Sequence, residues 1–185
     1  MQVSPAHWHL LINHFPIILS LVGTLFIGLS FFLKKNTLIN GGLILLVMAA
    51  LTALPANATG EGAEESVEGI AGVTHDGIEI HEHAAATGLE VPLLKWFRTG
   101  LKIMIGTGIL ALIAAFAQVK MPKRAMILLI VTFIAGVASA GYMSYVGLTG
   151  GEIRHSEIRG DFGRSTSSAA PSQNTTLQET EDDDD

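Results

Sequence analysis

Phe15–Leu33 runs without one charged side chain, and Leu38–Ala56, Leu101–Val119 and Ala125–Gly147 come close to matching it. A bilayer core about 30 Å thick takes roughly 20 mostly apolar residues as helix. With its lead-in the first stretch covers about Leu10–Leu33, so the chain reads as four spans. Inside a bilayer each span must satisfy its own backbone hydrogen bonds, which a helix does. The expected fold is therefore all-α: an integral membrane four-helix antiparallel bundle. A soluble bundle of this length would need more polar surface than 15% charged residues supply. Lys102, near the start of the third span, can extend its ammonium towards the headgroups.

Two connections are short and basic. Lys34-Lys35-Asn36-Thr37 joins spans one and two, and Lys120-Met121-Pro122-Lys123-Arg124 joins spans three and four. The long connection, residues 57–97, carries Glu61, Glu64, Glu65, Glu68, Asp76, Glu79, Glu82 and Glu90. The positive-inside rule places the basic turns in the cytoplasm and both termini outside, in an inner (plasma) membrane. Lys95, Arg98 and Lys102 form a basic stripe that opposes this. Residues 1–160 are read as one membrane domain and 161–185 as a disordered acidic tail, since Ser/Thr/Asn/Gln and Asp182–Asp185 bury no core. Met1–Trp8 has no Lys or Arg and no A-x-A-like site follows, so the first span is expected to remain as an anchor.

All seven histidines fall on the face opposite the basic turns. His7, His9 and His14 precede or begin span one, His75, His81 and His83 lie in the long loop, and His155 follows span four. That segregation marks them as candidates for one shared site. Pro16 suits a first helical turn, so a helix beginning near Phe15 would set His14 at the membrane boundary, where an ionisable group needs a partner or water. His7 and His14 would share a face if the lead-in is helical. In the loop, Glu61, Glu64, Glu65 and Glu68 fall at i, i+3, i+4 and i+7, one helical face. A second short helix is expected over Thr74–Ala86, with His75, Glu79, Glu82 and His83 on one face and His81 on another. Ile78, Ile80 and the following alanines would let it lie along the membrane.

After span four, Gly150-Gly151 would allow a sharp turn back over the bundle. Glu152 and His155 follow with Glu-x-x-His spacing, which supplies ligands in carboxylate-bridged di-metal bundles. Small residues at Gly23, Gly28, Gly106, Gly108, Gly136, Ala138, Ser139, Ala140 and Gly141 suit close helix packing. No internal repeat stands out.

The chain has no cysteine, which rules out disulfides, thiolate metal sites, iron–sulfur clusters and covalent haem attachment. It has no nucleophile triad, phosphate loop or dinucleotide fingerprint, so no enzyme reaction is assigned. Nothing points to nucleic acid. The dry middles of spans one, two and four argue against a transporter.

His9-Leu10-Leu11-Ile12-Asn13-His14-Phe15-Pro16, Thr59-Gly60-Glu61, Ala63-Glu64-Glu65, Val67-Glu68, Ile80-His81-Glu82 and Gly150–Glu157 resemble segments of an uncharacterised bacterial four-span membrane protein family. The resemblance covers about Pro5–Arg159. It implies the four-span fold and a site at His14, His81 and His155. Similar membrane domains occur beside c-type cytochrome modules, which implies redox work and no more; a redox or membrane-complex partner is an expectation beside it.

Two functions are expected. The first is an extracytoplasmic site for haem b or a transition metal (iron, copper or zinc), serving electron transfer or metal handling. Its ligands would come from His14, His81, His83, His155, Glu61, Glu65, Glu82 and Glu152. The second is a non-catalytic scaffolding subunit of a membrane complex.

Overall fold

The computed structural model describes residues 4–70, 72–86 and 99–155. Seven helices lie among them: α1 (Pro5–Ile12), α2 (His14–Leu33), α3 (Asn36–Ala58), α4 (Gly60–Val67), α5 (His75–Ala86), α6 (Thr99–Lys120) and α7 (Pro122–Arg154). Four segments are long and apolar enough to cross a membrane: Pro5–Leu33, Asn36–Ala58, Thr99–Lys120 and Pro122–Ile153. Glu90, Lys95, Arg98 and the acidic tail fall outside the described residues.

The spans form a closed ring. α2 packs on α3, α3 on α6, α6 on α7, and α7 on α2, each antiparallel to its neighbours. The basic turns explain the neighbours: α2 stops where Lys34 turns left-handed at φ 50°, and α3 starts at Asn36. At the second turn Pro122 opens α7, where its missing N–H costs nothing.

The core of the ring mixes apolar side chains such as Ile27, Leu43, Leu46, Met104 and Leu129 with hydroxyls, and its outer surface is apolar too. Ser20, Thr24, Ser30, Thr107, Thr132 and Ser139 are buried, while Ile18, Leu25, Phe32, Ile44, Phe116 and Ile127 face outward. A soluble bundle would cover its outer surface with polar residues. In lipid, association comes from close packing instead. The buried hydroxyls are mostly satisfied within their own helices, as in Ser30 Oγ donating to Ile27 O (2.6 Å) and Thr132 Oγ1 to Leu128 O (2.8 Å).

Small residues set the helix spacing, though not all those expected. A Cβ on Gly42 would lie 2.6 Å from Ile27 Cγ1, one on Gly108 would lie 2.5 Å from Ala50 Cβ, and one on Gly136 would lie 2.5 Å from Thr24 Oγ1. Gly23 and Gly28 are also in contact. Gly106 and Gly141 have open space beside them and Ala138 is exposed, so these three do not serve the packing expected of them. Periodicity cannot say which face of a uniformly apolar helix meets its neighbour.

One boundary matches expectation and one differs. α2 begins at His14, near the expected Phe15, because Pro16 has no N–H to offer Ile12 O. The lead-in is a separate helix, α1, which Ser4 caps by accepting from the His7 N–H (3.3 Å). At the other end, α7 makes no sharp turn at Gly150-Gly151. It runs on to Arg154. At 1.5 Å per residue α7 is about 50 Å long, so its last turns stand beyond the apolar core.

Candidate functional site

The end of the bundle opposite the basic turns is built from four pieces. α1 extends α2 and packs on α4, while α5 packs along the end of α7. Every described histidine lies there.

On the α1 side, His9 is half-buried and its Nδ1 lies 3.1 Å from Thr59 Oγ1. Thr59 is the turn residue between α3 and α4. Its hydroxyl donates back to Pro55 O (2.9 Å) and Ala56 O (3.1 Å). A Cβ on Gly60 would lie 3.9 Å from His9 Cε1, and one on Gly62 would lie 3.2 Å from Pro5 Cβ. Missing side chains on α4 therefore let α1 approach.

On the α5 side the same chemistry returns. Ile78 and Ala84 are buried, and His81 sits midway between them on that stripe. Its Nδ1 lies 3.1 Å from Thr149 Oγ1, and that hydroxyl donates to Val146 O (2.9 Å). A Cβ on Gly150 would lie 3.0 Å from Cε1 and 3.2 Å from Nδ1 of the ring. One turn beyond, Tyr142 Oη donates to Ala84 O at 2.6 Å. α5 thus buries Ile78 and Ala84 and spends them on α7, while Ile80 stays exposed.

The expected ligands are placed as follows. His14 is exposed and donates Nδ1–H to Leu10 O in its own turn (2.7 Å). Beside it, Asn13 Oδ1 is buried with no hydrogen-bond partner among the described residues. His155 is exposed and caps α7 with φ −102° and ψ 75°. Its N–H still bonds to Gly151 O (3.0 Å), and Glu152, one turn before it, is half-buried. His83, Glu61 and Glu65 are exposed, and Glu82 is half-buried. Both short helices exist; Glu61, Glu64 and Glu65 lie on α4, while Glu68, expected on the same face, is its non-helical C-cap. Among the described residues, however, no three His, Asp or Glu side chains gather in a group able to hold a metal ion.

Three participants were missed from sequence: His9 as an anchored ring, and Thr59 and Thr149 as its and His81's partners. One signal was available. Thr59-Gly60-Glu61 and Thr149-Gly150-Gly151-Glu152 end the two even spans with nearly the same words.

A groove of about 460 Å³ runs between α2 and α7, lined by Leu21, Thr24, Gly28, Phe133, Val137 and Gly141 among others. It holds no titratable group and faces where lipid would be. No family model, no curated protein and no solved structure matches the chain.

Proposed function

We propose that this chain is a membrane protein that holds haem b with imidazoles at the histidine end of its bundle and takes part in electron transfer. One observation carries the reading: His9 and His81 are half-buried at the same end, each ring tied to a hydroxyl on another element. Metal-binding imidazoles are held in this way, with the second ring nitrogen fixed by a hydrogen bond.

The donor set favours haem over a bare metal ion. A non-haem ion asks for three or four protein ligands, and the described residues gather no such group. Haem iron takes four nitrogens from its porphyrin and asks the protein for one or two imidazoles. His14, His81 and His155 remain candidates, joined by His9. A single iron, copper or zinc ion would need a ligand from residues outside those described.

The five basic residues of the two turns favour a cytoplasmic basic end. The histidine end would then be extracytoplasmic, in the plasma membrane, and a redox partner would meet it there. The resemblance to membrane domains found beside cytochrome modules supports the same direction. A reporter fused after Lys35 or Pro122 should therefore read as cytoplasmic.

The main test is a reduced-minus-oxidised spectrum and elemental analysis of protein purified in mild detergent without chelators. A b-type spectrum is expected, lost on acidification because protonated imidazole does not ligate. Protein free of both haem and metal would favour the scaffolding reading. The apolar groove between α2 and α7, with Gly28, Ala140 and Gly141 in its lining, suits that reading, as a seat for a partner's helix.

A further inference from the structure

We propose that the seam between α2 and α7 is a binding site for an anionic phospholipid. One acyl chain lies in the groove there, and the phosphate sits between Lys34 and Lys123 at the foot of the seam. The inference does not depend on the haem reading.

The seam is where the ring is loosest. The packing of α2 on α7 is the least extensive of the four, and no turn joins these two spans. Between them runs the groove of about 460 Å³. On α2 it extends from Leu21 to Phe32, eleven residues or about 16 Å of helix. On α7 its wall is low at Gly141, where a Cβ would meet nothing within 4 Å. Its lining carries no charge. An empty slot there would forfeit dispersion contacts along both helices. A partner's helix, about 10–12 Å across with its side chains, can rest on such a slot but not enter it. A hydrocarbon chain can enter and restore those contacts.

The charge lies at the foot of the same seam. Phe32, 83% exposed, lines the basic end of the groove, and Lys34 follows two residues later. On α7, Lys123 precedes Gly141 by eighteen residues, five turns of one unbroken helix. It therefore stands on the face of α7 that lines the groove, whereas Arg124 is rotated about 100° away. Met126 and Ile130, both exposed, continue the apolar wall from Lys123 up to Phe133. Lys34, Lys35, Lys120, Lys123 and Arg124 are all exposed, and among the described residues none of them has an ion-pair partner. Every described Asp and Glu lies at the histidine end. Two spans begin and two end at the basic face, so their dipoles offset one another and the side chains set its charge. Cations clustered at the ends of spans attract anionic headgroups. The groove gives that anion a reason to carry a hydrocarbon chain.

The test uses intact protein in mild detergent, given phosphatidylglycerol or phosphatidylcholine with the same acyl chains, and counts bound lipid by native mass spectrometry. Phosphatidylglycerol should stay bound and raise the thermal unfolding midpoint, and phosphatidylcholine should do neither. Lys34→Gln and Lys123→Gln should each weaken retention about fivefold. Lys120→Gln, at the end of α6 and away from the groove, should leave it unchanged. Val137→Trp and Gly141→Leu fill the groove with every cation in place, and each should lower retention at least as much as the lysine changes. Equal retention of both lipids, or an equal loss from Lys120→Gln, would mean general attraction to the basic face and overturn the site. Full retention in both groove variants would overturn the seat for the chain. Displacement of the lipid by glycerol 3-phosphate would make the ligand a soluble phosphate. A dimer that excludes lipid, and that Gly141→Leu turns into monomers, would put a second copy in the groove. Either of these last two results sinks the proposal.

Discussion

The two histidine–threonine pairs use one chemistry on two different backbones. Thr149 and Gly150 lie inside α7, an unbroken helix of 33 residues. Thr59 and Gly60 lie at a joint, where α3 ends and α4 begins, one turn after Pro55. His81 is accordingly gripped: a hydroxyl on one side, the bare Cα of Gly150 against the ring, and Tyr142 pinning the same short helix. His9 has the hydroxyl but a looser wall, with Gly60 at ordinary contact distance. A continuous helix holds its side of a contact fixed, whereas a joint can yield. If this comparison is right, equivalent substitutions at the two pairs should have unequal effects.

Gly150→Ala should be the most damaging. Its Cβ would press on three ring atoms of His81 at 3.0–3.6 Å. Overpacking of this kind costs about 1–3 kcal/mol, against a helix-propensity gain of at most ~1 kcal/mol. The overlap should win, because the ring is held on its far side by Thr149. Thermal unfolding in detergent, with the intact protein as reference, would register it; an unchanged or higher midpoint would show that α5 yields easily.

Next comes Tyr142→Phe, which removes the 2.6 Å bond to Ala84 O. A loss of about 0.5–1.5 kcal/mol is expected, together with faster amide exchange in α5 but not in α1. Equal loosening of both short helices would break the comparison.

Thr149→Val and Thr59→Val each remove one hydrogen bond to a ring. Thr149 is buried and Thr59 half-buried, so the first should cost more, about 1 kcal/mol, and the second less. Denaturant midpoints of the pair, measured side by side, rank them; the opposite order would contradict the gripped-versus-loose distinction. Gly60→Ala should have the smallest effect. Its Cβ would meet His9 Cε1 at 3.9 Å, an ordinary contact, so a change of a few tenths of a kcal/mol, of stabilising sign, is expected. A large loss there would mean that the joint is as rigid as α7.

The histidine end shows how far pattern reading reaches. The acids of α4 and the span of α5 were legible because helical spacing is local. The role of His81 was half legible: its spacing set it apart from His75, Glu79, Glu82 and His83, but only α7 explains why. Gly150-Gly151 was misread as a turn. Glycine permits a turn, and equally permits an imidazole to rest on a helix; the neighbour that chooses between them lies 68 positions away in sequence. The boundary at Asn13-His14 was legible, because Pro16 has no N–H for Ile12 O and α2 does begin at His14; the Ser4 cap that makes the lead-in a helix of its own was not.

By itself the sequence determined the four spans, their antiparallel order and the segregation of all histidines to one end. Those follow from span length, backbone hydrogen bonding in lipid and the shortness of two turns, none of which needs a tertiary contact. Only the tertiary structure decided which small residues touch and which histidines are anchored. On uniformly apolar helices the buried face carries no hydrophobic signature, and a hydroxyl on one element meets a ring on another only once the bundle is assembled.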